Sequence, residues 1–122
     1  MKIPKFYFDR SIFNFALADD VPAEREITLR LLEEVRGGKY EIFISEVVLR
    51  EINRAPQEKA VKLRDCIKEI NPEELILDEN TLALVKEYID KGVIPPKYED
   101  DALHIAVASV NNLDAIVSWN FT

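Results

Sequence analysis

Asp9, Glu51 and Asp101 each stand against an apolar run: Phe6-Tyr7-Phe8 before the first, Val47-Val48-Leu49 and Ile52 around the second, Ala102-Leu103 and Ile105-Ala106-Val107-Ala108 after the third. An ionised carboxylate in apolar surroundings is unfavourable unless a cation or hydrogen-bond donors meet it. Acids at the edges of core elements are therefore more than solubility charges. Brought together by the fold, these three would make an all-oxygen pocket for a hard divalent cation, Mg²⁺ or Mn²⁺. The chemistry that follows is metal-assisted cleavage of a phosphodiester by an activated water.

The elements that must position these acids alternate short apolar runs with helical patterns, which predicts an α/β fold around a parallel sheet. Residues 6–8 read as a buried strand and 11–17 as a helix. Pro22 suits the first turn of the next helix, whose apolar face is Ile27, Leu31, Leu32 and Val35 and whose stop is Gly37-Gly38. Residues 40–44 form the second strand, and Ser45 caps the helix that follows. Pro56 opens a helix with Ala60, Leu63, Ile67 and Ile70 on one face. Residues 75–77 read as a third strand, 81–89 as a helix ending near Gly92, and Pro95-Pro96 as a rigid connector. A helix from Glu99 to Asn111-Asn112 and a strand at 115–118 complete the pattern. The expectation is one domain over residues 1–122, a three-layer α/β/α sandwich with a parallel sheet of four or five strands.

Within that frame the acids can be weighed individually. Asp9 leaves the C-terminal end of the first strand, the edge where open parallel sheets bind ligands; it is equally placed to cap the helix near Ser11. Glu46 lies in a first helical turn, favoured by the dipole, with Arg50 four residues on as its expected ion-pair partner. Glu51 instead shares the face of Val47 and Val48 and is the better ligand candidate, with Glu46 as the fallback. Asp101 lines up with Ile105 and Ala108 and is expected to begin a packed face. Asp100 lines up with His104 and Asn111 as a polar stripe and is the fallback for Asp101. His104, the one histidine, reads as a surface or packing residue rather than a general base. Ser118 and Asn120 follow the last strand on the same sheet edge as Asp9, where Asn120 offers a carbonyl oxygen to a metal or its water. Trp119 reads as packing, with base stacking the alternative.

Composition narrows the function classes. The net charge of −7 argues against indiscriminate nucleic-acid binding. Yet residues 25–68 carry ten Lys/Arg against eight Asp/Glu, while the remainder carries six against fifteen; alternation of charges on solvated helix faces is the preferred reading, with basic ground beside an acidic pocket the alternative. Three glycines leave no glycine-rich phosphate loop. No apolar run approaches the length of a membrane span and the N-terminus does not read as a signal peptide, so no membrane partner is expected. Cys66 is alone and reads as a packed thiol, which fits a cytoplasmic location.

In this order the motifs resemble a PIN domain, the nuclease fold of VapC-type toxins from type II toxin–antitoxin pairs. The resemblance rests on Asp9-x-Ser11, on Ser45-x-x-x-Leu49-x-Glu51-Ile52, on Asp101-Ala102-Leu103-His104-Ile105-Ala106-x-Ala108, and on Ile116-Val117-Ser118-Trp119-Asn120-Phe121. It implies a PIN-like fold and an endoribonuclease whose metal ligands are Asp9, Glu51 and Asp101. Ser118 and Asn120 would hold the fourth corner, with Ser11 in support. It also implies RNA as substrate, a cognate antitoxin and a homodimer as partners. Two departures stand out: Asn120 replaces the fourth acid of many members, and the chain stops at Thr122, where members usually continue to a final edge strand. A catalytically silent PIN-like module binding RNA or protein is the alternative. A phospho-acceptor signalling domain fits least, because no acids pair after the first strand and no lysine follows Lys97.

Overall fold

The structure is a computed structural model that describes residues 2–120. Its sheet has four parallel strands, β1 (Lys5–Phe8), β2 (Glu41–Ser45), β3 (Glu73–Leu75) and β4 (Ala115–Val117), in the order β3-β2-β1-β4. Helices α1 (Arg10–Ala16), α2 (Pro22–Arg36), α3 (Glu46–Asn53), α4 (Gln57–Ile70), α5 (Glu79–Asp90) and α6 (Glu99–Val110) cover it, with a 3₁₀ turn at Pro96–Tyr98 before α6. The expected α/β architecture is the one observed, with four strands among the described residues. Phe121 and the expectation of a missing edge strand past Thr122 lie outside them.

Alternation along β1 shows why both faces must be covered. Phe8 meets Phe13 of α1 edge-on on one side, with ring centroids 6.2 Å apart, while Tyr7 reaches His104 of α6 on the other. Both strand residues are fully buried, as expected where helices cover both faces of a parallel sheet. The larger core joins the strands to α1, α2 and α4, and a smaller one joins Val47 to Val85 of α5 and to Ala102, Leu103 and Ala106 of α6. The alanines let α6 approach closely. Cys66 packs against the larger core, and burial pushes its thiol pKa up, in keeping with a packed rather than reactive cysteine.

Several boundaries follow the local chemistry. Pro22 takes the first turn of α2, where its missing N–H costs nothing. Ser45 is both the last residue of β2 and the N-cap of α3, its hydroxyl accepting from the Val47 N–H at 3.2 Å, so strand and helix join without a loop. The third strand departs from the sequence expectation: it spans Glu73–Leu75 rather than 75–77. It lies at the edge of the sheet, where one neighbour suffices and two exposed glutamates are tolerated. The last strand ends at Val117 and leaves Ser118 beyond it. No helix among the described residues is long and apolar enough to cross a membrane.

Strand order makes the functional edge. The chain runs β1 to β2 to β3 in one direction, then returns to lay β4 on the other side of β1. The order therefore reverses between β1 and β4, and a crevice opens past their carboxyl ends. Asp114 fixes that pairing: its carboxylate accepts from the Lys5 N–H at 2.7 Å and its own N–H donates to the Lys5 carbonyl at 2.8 Å. Phe8 then lies opposite Val117, which brings the next residues, Asp9 and Ser118, side by side.

Candidate active site

Asp9 is buried at the mouth of this crevice and does two jobs at once. It caps α1 through the Ser11 N–H at 3.0 Å, as one sequence reading expected, and it also accepts from two hydroxyls. Ser11 Oγ donates to Oδ1 and Ser118 Oγ to Oδ2, each at 2.5 Å. Three donors occupy three of the roughly four lone-pair sites of a carboxylate and leave one free. Ser11 Oγ also accepts from the Trp119 N–H at 2.8 Å, and Ser118 Oγ from the Asn120 N–H at 2.9 Å. The two serines thus tie the ends of β1 and β4 together around the acid.

An open cavity of about 680 Å³ lies over this point, lined by Asp9, Asp101, His104, Ile105, Ile116, Ser118, Trp119 and Asn120. Asp9 and Asp101, at opposite ends of the sequence, face the same space. Asp101 sits in the first turn of α6, where the helix dipole favours a negative charge. Trp119 is a packing residue as expected: it stacks on Phe15 with centroids 5.1 Å apart and donates to Thr28 Oγ1 at 2.9 Å, while also lining the cavity.

Glu51 is not among the lining residues and joins the site at one remove. Its Oε1 is 3.0 Å from His104 Nε2, and His104 Nδ1 is 2.6 Å from the Tyr7 hydroxyl, which is 2.7 Å from Ser45 Oγ. A carboxylate only accepts, so the Nε2 that faces Glu51 carries a proton, and the Tyr7 and Ser45 hydroxyls continue the hydrogen-bonded chain from Nδ1. Burial pushes the Tyr7 pKa far up, opposed by the Ser45 hydrogen bond and reinforced by the charges of Glu51 and Asp9. Among the described residues, no three of the Asp, Glu, His and Cys side chains already stand together as a metal-holding group.

Two expectations about neighbouring residues are corrected. Asp101 does not begin a packed face: both it and Ile105 are exposed toward the cavity, while His104, placed in a polar stripe with Asp100, is buried. The reversal is physical, since His104 satisfies both ring nitrogens inside the protein and gains nothing from water. Arg50 does not pair with Glu46. It lies 3.9 Å from Asp100, which Arg54 also reaches at 3.2 Å, so Asp100 is occupied in joining α3 to α6. Glu46 is exposed in the first turn of α3.

The Tyr7 and Ser45 contribution was not foreseen from sequence. A tyrosine in the middle of a buried strand was its available signal, because a buried phenol needs a partner for its hydroxyl. Its ionisation gives a testable sign. A folded pKa above the usual 10.0 leaves stability untouched below about pH 10 and erodes it above, as the unfolded chain loses the proton first. The slope approaches about 1.4 kcal/mol per pH unit. Urea unfolding at pH 9 and pH 11 should show a steeper loss for the wild type than for Y7F; equal losses would mean that Tyr7 ionises as easily folded as unfolded.

No family model matches the chain, and no curated protein does. Among solved structures the chain is similar to one in the crystal structure of VapBC2 from Rickettsia felis bound to a DNA fragment from their promoter. The TM-score is 0.65 at 18% identity, covering 93% of this chain and 86% of that one. At such identity the likeness is one of fold, and it agrees with the PIN-like architecture expected from the motifs.

Proposed function

We propose that this chain is a divalent-cation-dependent endoribonuclease and the toxin of a toxin–antitoxin pair. The observation that carries the reading is the meeting of Asp9 and Asp101 on one cavity at the switch point of the parallel sheet. The fold likeness to a chain of a VapBC2 complex supports the toxin–antitoxin part, with a cognate antitoxin as the protein partner.

The donor set suits Mg²⁺ or Mn²⁺. Mg²⁺ keeps several waters and takes one or two carboxylates, which matches a cavity offering Asp9 and Asp101. Such an ion would supply charge neutralisation at the phosphate and a more acidic water for in-line attack. The chain's own residues do the rest. Ser11 and Ser118 hold Asp9 rigid, Asn120 lends an amide to the rim, and Arg50 on α3 and Arg54 just past its end are the first candidates for phosphate contacts.

The test is cleavage of total RNA with Mn²⁺ or with EDTA, together with thermal melts. At a cation concentration a hundredfold above Kd, preferential binding to the folded state is worth about 2.7 kcal/mol. That should raise Tm by roughly 10 °C in a domain of this size. Cleavage that persists in EDTA, or a Tm indifferent to either ion, counts against the reading. A second reading, a silent module that binds RNA or protein, is favoured by the three hydrogen bonds already made to Asp9. RNA binding retained in EDTA, without cleavage under any divalent ion, selects it.

A further inference from the structure

We propose that Ile105 and Ile116 form an apolar seat for one nucleobase beside the scissile phosphate, so that the cavity holds its RNA by a base as well as by the backbone. The inference rests on the endoribonuclease reading above and deepens it by naming the part of the substrate that these side chains meet.

Exposed apolar side chains scattered singly need no explanation. These two are not scattered, because both line the cavity that Asp9 and Asp101 share. Ile105 is 40% exposed and Ile116 37%, although Ala106 and Val107, next to the first, are fully buried. Their placement is ordered as well. Ile105 stands four residues after Asp101 on α6, one turn along the same face and about 6 Å of rise. Ile116 stands two residues before Ser118, about 7 Å of extended chain. Only residues 111–114 separate α6 from β4, so the two run in opposite directions and the isoleucines fall at one level. Each wall therefore turns from polar to apolar over a similar length. Trp119 also lines the cavity, but its ring is held by Phe15 and Thr28 and is less exposed than either isoleucine. No Lys or Arg is among the lining residues, so the apolar end offers nothing to a second phosphate. It suits an uncharged group with flat apolar faces, and in RNA that group is the base next to the cleaved bond.

The experiment follows kcat/KM in Mn²⁺ on a short RNA oligonucleotide spanning a mapped cleavage site, and on copies lacking the base on the 5′ or the 3′ side of that bond. Wild type, I105A, I116A and the I105A/I116A double variant are compared. Losing an apolar contact of this kind typically costs about tenfold or more. The double variant should therefore cleave the intact oligonucleotide about tenfold less efficiently. One of the two abasic copies should cost the wild type a similar factor. On that copy the double variant should lose less than about twofold further, since seat and base are then both gone. Equal losses on intact and abasic RNA overturn the inference, because a merely structural role would act on both alike. A wild type indifferent to either missing base overturns it too. So does undiminished cleavage of intact RNA by the double variant, which gives this surface to an apolar side chain of a protein partner instead. If the double variant does not fold, the single variants carry the same comparison with a several-fold loss expected. A wild type that cleaves no RNA overturns the endoribonuclease reading and this inference with it.

Discussion

D101N should fold like the wild type and cleave no measurable RNA. The side chain is exposed in the first turn of α6 and makes no hydrogen bond or ion pair among the described residues, so its removal strands no buried partner. The stability cost is that of one charge near a helix N-terminus, about 0.3–1 kcal/mol. The chemical cost is far larger, because one of two carboxylates on the cavity loses its charge and with it much of the attraction for a cation. Deleting a single electrostatic contact to a reacting centre typically costs about 10²–10³-fold in rate. Urea unfolding and an RNA-cleavage time course on the same preparation check both halves. Undiminished cleavage by a clean D101N preparation would remove this residue from the site.

D9N should lose cleavage to a similar degree and, unlike D101N, should also lose stability. Asp9 accepts from the Ser11 N–H, Ser11 Oγ and Ser118 Oγ, and an amide nitrogen in place of either oxygen turns an acceptor into a donor facing a donor. Buried polar groups left unpaired cost about 1–3 kcal/mol. The loss should appear as a lower urea midpoint with an unchanged slope, the mark of weaker stability without a change in the unfolded state. The contrast between the two variants is informative: one acid is bonded into the fold as well as lining the cavity, the other only lines it. Equal stability for D9N and D101N would mean that the Ser11–Asp9–Ser118 knot contributes little to holding β1 and β4.

Much of this was legible in the residues, and the parts that were not share a cause. Phe6-Tyr7-Phe8 followed by Asp9, Pro22 at a helix start and Ser45 as a cap each depend on one element and its own geometry, and each sits where expected. On α6 the buried alanines sit where their size suggests, but Asp101 and His104 exchange the places that polarity alone would assign them. His104 is polar and buried, its needs met by Tyr7 and Glu51, which are distant in sequence. Arg50 differs for the same reason: local spacing points to Glu46 one turn away, while the structure supplies Asp100 from another helix. The third strand slipped by two residues because an edge strand needs little apolar character to pair. The family resemblance named the acids; only the three-dimensional arrangement separates the two that face the cavity from the one held behind a histidine.

The junction at Ser45 leaves no slack in this machinery. With strand and helix sharing that residue, the azimuth of Glu51 is dictated by counting turns from the sheet, about 100° for every residue. One amino acid inserted just past the cap would swing the carboxylate most of a third of a revolution away from the imidazole. No surface loop is present there to absorb the error, so the reach of α3 is keyed to the sheet like a gear tooth to its shaft.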